Sequence, residues 1–213
     1  DDEDRSDLFQ IRRFISKKKI KNKSLIKIIL NKKNLGAGES RNVGINLSKT
    51  KYIAFLDSDD VWHKNKLKFQ INYMIRNRAL ISHTSYNIIN ESGKKVSLRR
   101  SKEKLYFHNI LNSCDIGLST VMVELNLIKK NNFKFPKIKT KEDYVLWLKI
   151  LKKIPYIHGL DIKLTDYEPV QMLFDYQRDN VSQPKLLRLQ YDEPSRKTFF
   201  CVGDIFYPNA WLT

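Results

Sequence analysis

An α/β fold with a mostly parallel sheet is what this sequence predicts, and three observations carry that reading. Short apolar runs fit for buried strands alternate with segments of helical spacing through the first half of the chain. One of those runs, residues 52–56, passes directly into the carboxylates Asp57, Asp59 and Asp60, at what would be the C-terminal end of a strand. The 213 residues are enough for one domain with a sizeable core and leave little room for two.

Each element follows in order. Leu8, Ile11, Phe14 and Ile15 recur at helical spacing, with Arg12, Arg13 and Lys17 between or after them. Residues 25–30 form an apolar run that reads as a buried strand. Gly36, Gly38 and Gly44 punctuate a loop leading into a helix over residues 40–47. Residues 52–56 read as a second buried strand. A helix follows with Leu67, Ile71, Met74 and Ile75 on one face, and then the apolar run 79–81. Strands alternating with short helices imply parallel pairing, with helices on both faces of the sheet.

The second half changes character. Residues 86–89 and 96–98 flank Glu91, Ser92, Gly93 and Lys94, a hairpin-turn composition. Residues 119–123 are a strand candidate, and 142–154 a helix, since Val145, Leu148 and Leu151 recur every three residues. The pattern weakens beyond Gln183. The expected organisation is one domain over residues 1–190, with halves 1–90 and 91–190, the second adding a smaller mixed sheet. Residues 191–213 form a tail without a recognisable element.

Charge narrows the partners. The formal net charge is +17, and a surface this basic attracts polyanions: nucleic acid, an anionic membrane face or phosphate-bearing substrates. A lysine-, isoleucine- and asparagine-rich composition also arises from an AT-rich genome. Cys114 and Cys201 have no metal-type spacing and read as buried or incidental thiols in a reducing compartment. No apolar run approaches the roughly 20 residues that span a bilayer, and no signal-peptide pattern opens the chain. The expectation is a cytoplasmic protein, either free or peripheral on the inner face of the cell membrane. His63, His83, His108 and His158 lack metal-site spacing and are expected to be exposed or satisfied, and Trp62, Trp147 and Tyr144 to pack in the core.

The acidic turn carries the chemistry. Clustered carboxylates repel unless a cation neutralises them, and hard oxygen ligands suit Mn²⁺ or Mg²⁺, which usually also hold substrate phosphates. Alone, such a turn is more often solvated or a helix cap. The segment 34–44, NLGAGESRNVG, lies one short helix upstream; its glycines permit close backbone approach, and a helix N-terminus with Arg41 nearby suits a diphosphate.

Together, NLGAGESRNVG and YIAFLDSDD, followed by Trp62 and Leu67, resemble the family 2 glycosyltransferases, inverting enzymes with a GT-A-type fold. Ser40 stands where that family commonly has Ala. The resemblance implies that Asp59 holds the metal, with Asp57 on the ribose or in the ion's water shell and Asp60 on the sugar or an orienting backbone amide. It places Asn34, Gly36, Gly38 and Arg41 against the nucleotide-sugar. It also aligns Asp2 with a base-contacting Asp at the end of the family's second strand, although Asp4 replaces the usual Ser, and implies a first strand upstream of Asp1. Glu142 and Asp143, in KEDYVLW, resemble the family's acidic motif: Asp143 as the base that deprotonates the acceptor hydroxyl, Glu142 as the group that holds the acceptor. Arg178, in YQRDNVS, is similar to a late segment near the diphosphate.

The implied partners are a nucleoside-diphosphate sugar and a glycan or lipid-linked acceptor. The absence of the Q-x-x-R-W motif of processive synthases favours addition of single sugars. Two rival readings remain open at this point. One is an inactive or truncated relative. The other is a nucleic-acid-binding module resting on Arg12-Arg13, Lys17 to Lys19, Arg99-Arg100 and Lys152-Lys153, which are dispersed and form no recognised binding motif.

Overall fold

The computed structural model describes residues 6–17, 26–90 and 92–167. The expectations for Asp2, Glu91, Arg178, Cys201 and residues 191–213 therefore lie outside the described residues. The elements run α1 (Ser6–Lys17), α2 (Ala37–Leu47), β1 (Tyr52–Ala54), β2 (Val61–Trp62), α3 (Lys66–Arg76), β3 (Ile81–Ile89), β4 (Lys95–Arg99), β5 (Lys104–Leu105), α4 (Phe107–Asn112), a 3-10 turn (Leu118–Thr120), β6 (Met122–Glu124), α5 (Leu125–Lys130), α6 (Glu142–Leu151) and β7 (Ile157–Tyr167).

Among the described residues seven strands form one sheet, in the order β1-β6-β3-β7-β2, with β4 paired to β3 and β5 to β7. The α/β class holds, but the sheet is mixed rather than mostly parallel. Among the described residues only β3 and β7 pair in parallel; the other five pairings are antiparallel. Alternation in sequence reveals element type and not strand direction. Here β2 and β6 are strands of two and three residues that run back from a tight turn.

β1 shows why a continuous apolar run makes a strand buried on both faces. Ile53 and Phe55 enter one hydrophobic cluster with Ile81, Val123, Leu146, Trp147 and Ile150. Tyr52, Ala54 and Leu56 enter a second with Trp62, Ile71, Met74 and Met122. Helix α6 thus packs on one face of the strand and α3 on the other. Trp62 and Trp147 are core residues, as expected, and Tyr144 packs against the first cluster. The hairpin forms with Tyr86 opposite Arg99 and Asn87 opposite Leu98.

Residues 26–30 behave otherwise. They form no strand, and Ile28, Ile29 and Leu30 are 36%, 43% and 58% exposed. An apolar run becomes a strand only when a neighbour offers its backbone N–H and C=O groups. None of the described residues pairs with this one.

On α3, Ile71 and Met74 are buried as expected, but Ile75 faces solvent and the buried face includes Lys66 and Gln70, both fully buried. They are tolerated because they bond each other and the 3-10 turn: Lys66 Nζ donates to Gln70 Oε1 at 2.6 Å, and Gln70 Nε2 donates to the Thr120 carbonyl at 2.9 Å. Lys66 also lies 4.7 Å over the Trp62 ring.

His83 departs from expectation. It is buried on β3, and neither ring nitrogen has a partner among the described residues; burial pulls its pKa down to about 4, which keeps the imidazole neutral. Of the two alternatives for Cys114, buried or incidental, its exposure fits the second. No helix among the described residues is long and apolar enough to cross a membrane.

Candidate active site

Beyond β1 the chain leaves the sheet and turns sharply. The Asp60 N–H donates to the Asp57 carbonyl at 3.1 Å, closing a tight turn over residues 57–60. The Asp57 N–H donates to Ser119 Oγ at 2.9 Å, tying the start of this turn to the 3-10 turn. Asp57 and Asp59 are half-buried, while Asp60 is only 5% exposed.

Arg41 reaches this turn from α2. Its Nη2 donates to Asp57 Oδ1 at 2.7 Å, and its Nη1 donates to Glu142 Oε1 at 2.5 Å. The guanidinium is buried and its planar fork serves both acids at once, a geometry that lysine cannot supply. Residues 16 and 101 positions from Arg41 are thereby joined in one charged triad.

Local sequence explains how α2 is set in place. Gly36 precedes the helix with φ of 77°, in the left-handed region, and its N–H donates to Asn34 Oδ1 at 2.9 Å. A side chain on Gly38 would meet Glu142 Cγ and the Pro136 carbonyl, both at 3.1 Å. The glycine lets α2 press against the start of α6, which is what brings Arg41 within reach of Glu142. Asn42 locks the same contact from the next position: its Nδ2 donates to the Phe135 carbonyl at 3.0 Å, and its Oδ1 accepts the Phe135 N–H at 2.9 Å.

The two acids at the start of α6 have different surroundings. Lys141, with φ of 63°, swings the chain into the helix. Glu142 is ion-paired with Arg41. Asp143 makes no ion pair among the described residues; its Oδ1 accepts the Tyr144 N–H at 2.7 Å. Burial pushes its pKa above the ordinary carboxylate value, the Glu142 charge adds to the rise, and the Tyr144 N–H and Arg41 oppose it. A carboxyl whose proton affinity is raised in this way suits a group that takes a proton during reaction.

The structure therefore brings Arg41, Asp57 and Glu142 into contact, with Asp59 and Asp60 on the same turn, Asp143 next in the chain, and Asn34, Gly36 and Gly38 at the head of α2. Sequence reasoning missed Ser119, whose type and position carry no signal, and two tyrosines. Burial and the carboxylates of Asp60, Asp59 and Asp57, together with Tyr86, push Tyr167 up to about 12. Tyr86, edge-on to Tyr167 at 5.5 Å, is likewise pushed up to about 12, chiefly by burial. Both phenols thus border the acidic turn and stay protonated.

A divalent ion fits this donor set in one way. No group of three or more His, Cys, Asp or Glu residues gathers as a metal cage among the described residues. One oxygen of Asp57 is already engaged by Arg41. Mn²⁺ or Mg²⁺ held by one or two carboxylates, and completed by substrate phosphates and water, matches the turn; an all-protein cage does not.

Comparison with known proteins decides the family. A family model described as "Glycosyl transferase family 2" matches residues 1–134. The chain belongs to glycosyltransferase family 2. It is 40% identical over 132 residues to the UDP-Glc:alpha-D-GlcNAc-diphosphoundecaprenol beta-1,3-glucosyltransferase WfgD of Escherichia coli, covering 61% of this chain and 49% of that one. An uncharacterized glycosyltransferase of Rickettsia felis is 41% identical over 136 residues, 63% of this chain and 22% of the other. The chain thus spans half or less of the length of these two relatives. Among solved structures, Staphylococcus aureus TarS 1-349, in complex with UDP-GlcNAc, superposes with a TM-score of 0.61 at 22% identity, covering 84% of this chain and 50% of that one. That likeness establishes the fold, which is of the GT-A type.

Proposed function

We propose that this family 2 glycosyltransferase moves one sugar from a nucleoside-diphosphate sugar to a hydroxyl of a lipid-linked glycan acceptor, inverting the anomeric centre. The observation that carries the reading is the buried Arg41 holding Asp57 and Glu142 together. It fixes the acidic turn, where a donor diphosphate would sit, beside Asp143, the carboxyl best suited to accept a proton.

In this reading the acceptor oxygen bonds to the anomeric carbon as the bond to the diphosphate breaks, its electron pair leaving on the diphosphate. The acceptor proton passes to a carboxylate oxygen of Asp143. Asp143 enters ionised, and its raised pKa makes it the better acceptor. Glu142, fixed by Arg41, orients the acceptor. Asp59, with Asp57, would hold Mn²⁺ or Mg²⁺, which supplies charge neutralisation on the departing diphosphate. Asp60, Asn34 and the head of α2 complete the donor side, with Asp2 and Arg178 assigned to base and diphosphate by motif alone. Residues 1–90 form the donor half and 91–190 the acceptor half of one catalytic domain.

WfgD is named for UDP-Glc and a diphosphoundecaprenol-linked GlcNAc acceptor. That name supports a UDP-sugar donor and a lipid-diphosphate acceptor here. The formal charge of +17 supports docking on the anionic inner face of the cell membrane.

Transfer is tested with UDP-, GDP- and dTDP-sugars offered with a polyprenyl-diphosphate-linked N-acetylhexosamine, in Mn²⁺ and in EDTA. The expected result is metal-dependent transfer of a single sugar from one UDP-sugar, with inverted product stereochemistry by NMR. Transfer undiminished in EDTA would remove the metal role, and a retained configuration would remove Asp143 as the base.

A further inference from the structure

The 3-10 turn Leu118–Thr120 contacts the first residue of the acidic turn and Trp62, two residues beyond its end. Ser119 is 1% exposed. Its Oγ accepts the Asp57 N–H at 2.9 Å, at the peptide where the chain enters the acidic turn. Its carbonyl accepts the Trp62 indole N–H at 2.6 Å, where the chain has left that turn for β2, and the hydroxyl of Thr165 on β7 at 3.3 Å. Asp59 and Asp60 lie between these two anchors.

The anchor is itself fixed. The Thr120 N–H and hydroxyl both donate to the Gly117 carbonyl, at 2.9 and 2.6 Å, and the Val121 N–H donates to Leu118 at 3.0 Å. The neighbouring Thr120 carbonyl accepts Gln70 Nε2 at 2.9 Å and Lys66 Nζ at 3.4 Å, which ties the turn to α3. A rigid seat of this kind is what a metal-diphosphate site needs, because ligands must be held to within about 0.5 Å of their working positions.

We infer that Ser119 is a positioning residue: through the Asp57 N–H it sets the path of the acidic turn and hence the placement of the Asp57 and Asp59 carboxylates toward a divalent ion and a nucleoside diphosphate. The inference rests on the donor-site reading of that turn. The two anchors differ chemically, which makes the role separable from simple support. The Trp62 and Thr165 bonds fall on the Ser119 backbone and survive removal of the side chain. Ser119→Ala takes away only the acceptor of the Asp57 N–H, leaving the rest of the seat in place.

The test measures Mn²⁺ binding by water-proton relaxation and UDP binding by calorimetry in Mn²⁺, alongside melting temperature. Compared are the unaltered protein, Ser119→Ala, Ser119→Cys, Thr165→Val and Asp59→Ala. Ser119→Ala is expected to weaken Mn²⁺·UDP binding about tenfold, the loss that one hydrogen bond accounts for. Thr165→Val, which touches the backbone anchor alone, leaves binding within about twofold even where it lowers the melting temperature as much. Ser119→Cys keeps the volume with a poorer acceptor and falls between them, and it decides the matter if Ser119→Ala does not fold. Binding by Ser119→Ala or Ser119→Cys equal to that of the unaltered protein, while Asp59→Ala abolishes it, overturns the inference alone. Absence of UDP binding by the unaltered protein overturns the donor-site reading and this inference with it.

Discussion

The acidic turn after β1 and the first turn of α6 both present carboxylates to the same arginine, yet their surroundings differ. Asp57 gives an oxygen to Arg41 at 2.7 Å and remains half-exposed, so its charge is neutralised by a fixed cation and reachable by a ligand. Asp143, next to the second acid that Arg41 holds, makes no ion pair among the described residues and is shifted toward protonation, first by burial and then by Glu142. In the proposed mechanism the first region lends fixed negative charge beside a buried cation, and the second, with its raised pKa, takes up a proton. A single residue type serves two roles because its surroundings differ, the pattern by which paired acids divide labour in enzymes.

The largest test of this contrast removes the proposed proton acceptor. Asp143→Asn is isosteric, so it should lower kcat about a thousandfold while leaving UDP binding in Mn²⁺ within about twofold, since only transition-state chemistry is lost. A variant with unchanged kcat would show that the contrast has no catalytic meaning. Next in size, Asp59→Ala should lower kcat/KM about a hundredfold and abolish the response of UDP affinity to Mn²⁺, because metal neutralisation of the leaving diphosphate contributes several kcal/mol. Affinity for UDP that still rises with Mn²⁺ would move the metal off this residue.

The two regions were also unequally legible in the sequence. The acidic turn announced itself because a run of five apolar residues buried on both faces leads straight into three acids, and the glycine-arginine segment before it completed a recognisable motif. Glu142 and Asp143 were found by motif as well. What joins them was not visible: Arg41 and Glu142 are 101 residues apart, and only the close approach at Gly38 lets them meet. Ser119 gave no signal at all, since a buried hydroxyl matters by what it accepts and not by its spacing. β7 was missed as well. It begins and ends partly buried, but its middle residues Asp161, Ile162 and Lys163 are exposed, which blurs the apolar pattern. Residues 26–30 failed in the opposite sense, because apolar composition marks a segment fit for a sheet without supplying a partner strand.

The shared arginine allows the comparison to be sharpened by opposite displacements. Arg41 lowers the pKa of Asp143 and Glu142 raises it. Arg41→Gln should therefore move the acid limb of the kcat profile to higher pH, and Glu142→Gln should move it to lower pH. Each should also lower kcat/KM about tenfold through loss of the fork that aligns the two acids. A limb that moves the same way in both variants, or not at all, would mean that the limb does not report Asp143.

The smallest effect expected is on stability, and its sign is diagnostic. A carboxyl whose pKa is raised on folding binds its proton more tightly in the native state. Its stabilising contribution is present below the ordinary carboxylate pKa of 3.8 and is lost as pH climbs through the raised value. At neutral pH, ionised Asp143 therefore destabilises the fold that buries it. Asp143→Asn should raise the melting temperature by about a few degrees at pH 7 and by less at pH 3, where the native aspartic acid is already protonated. Arg41 and Asp57 set up the reverse case: Asp57→Asn removes an anion facing a buried guanidinium and should lower the melting temperature at pH 7. Opposite signs for two Asp→Asn changes in one site, measured by calorimetry under the same conditions, would establish that the two regions differ in electrostatics and not merely in position. Equal signs would mean that the two carboxylates do not differ in their electrostatic contribution to stability.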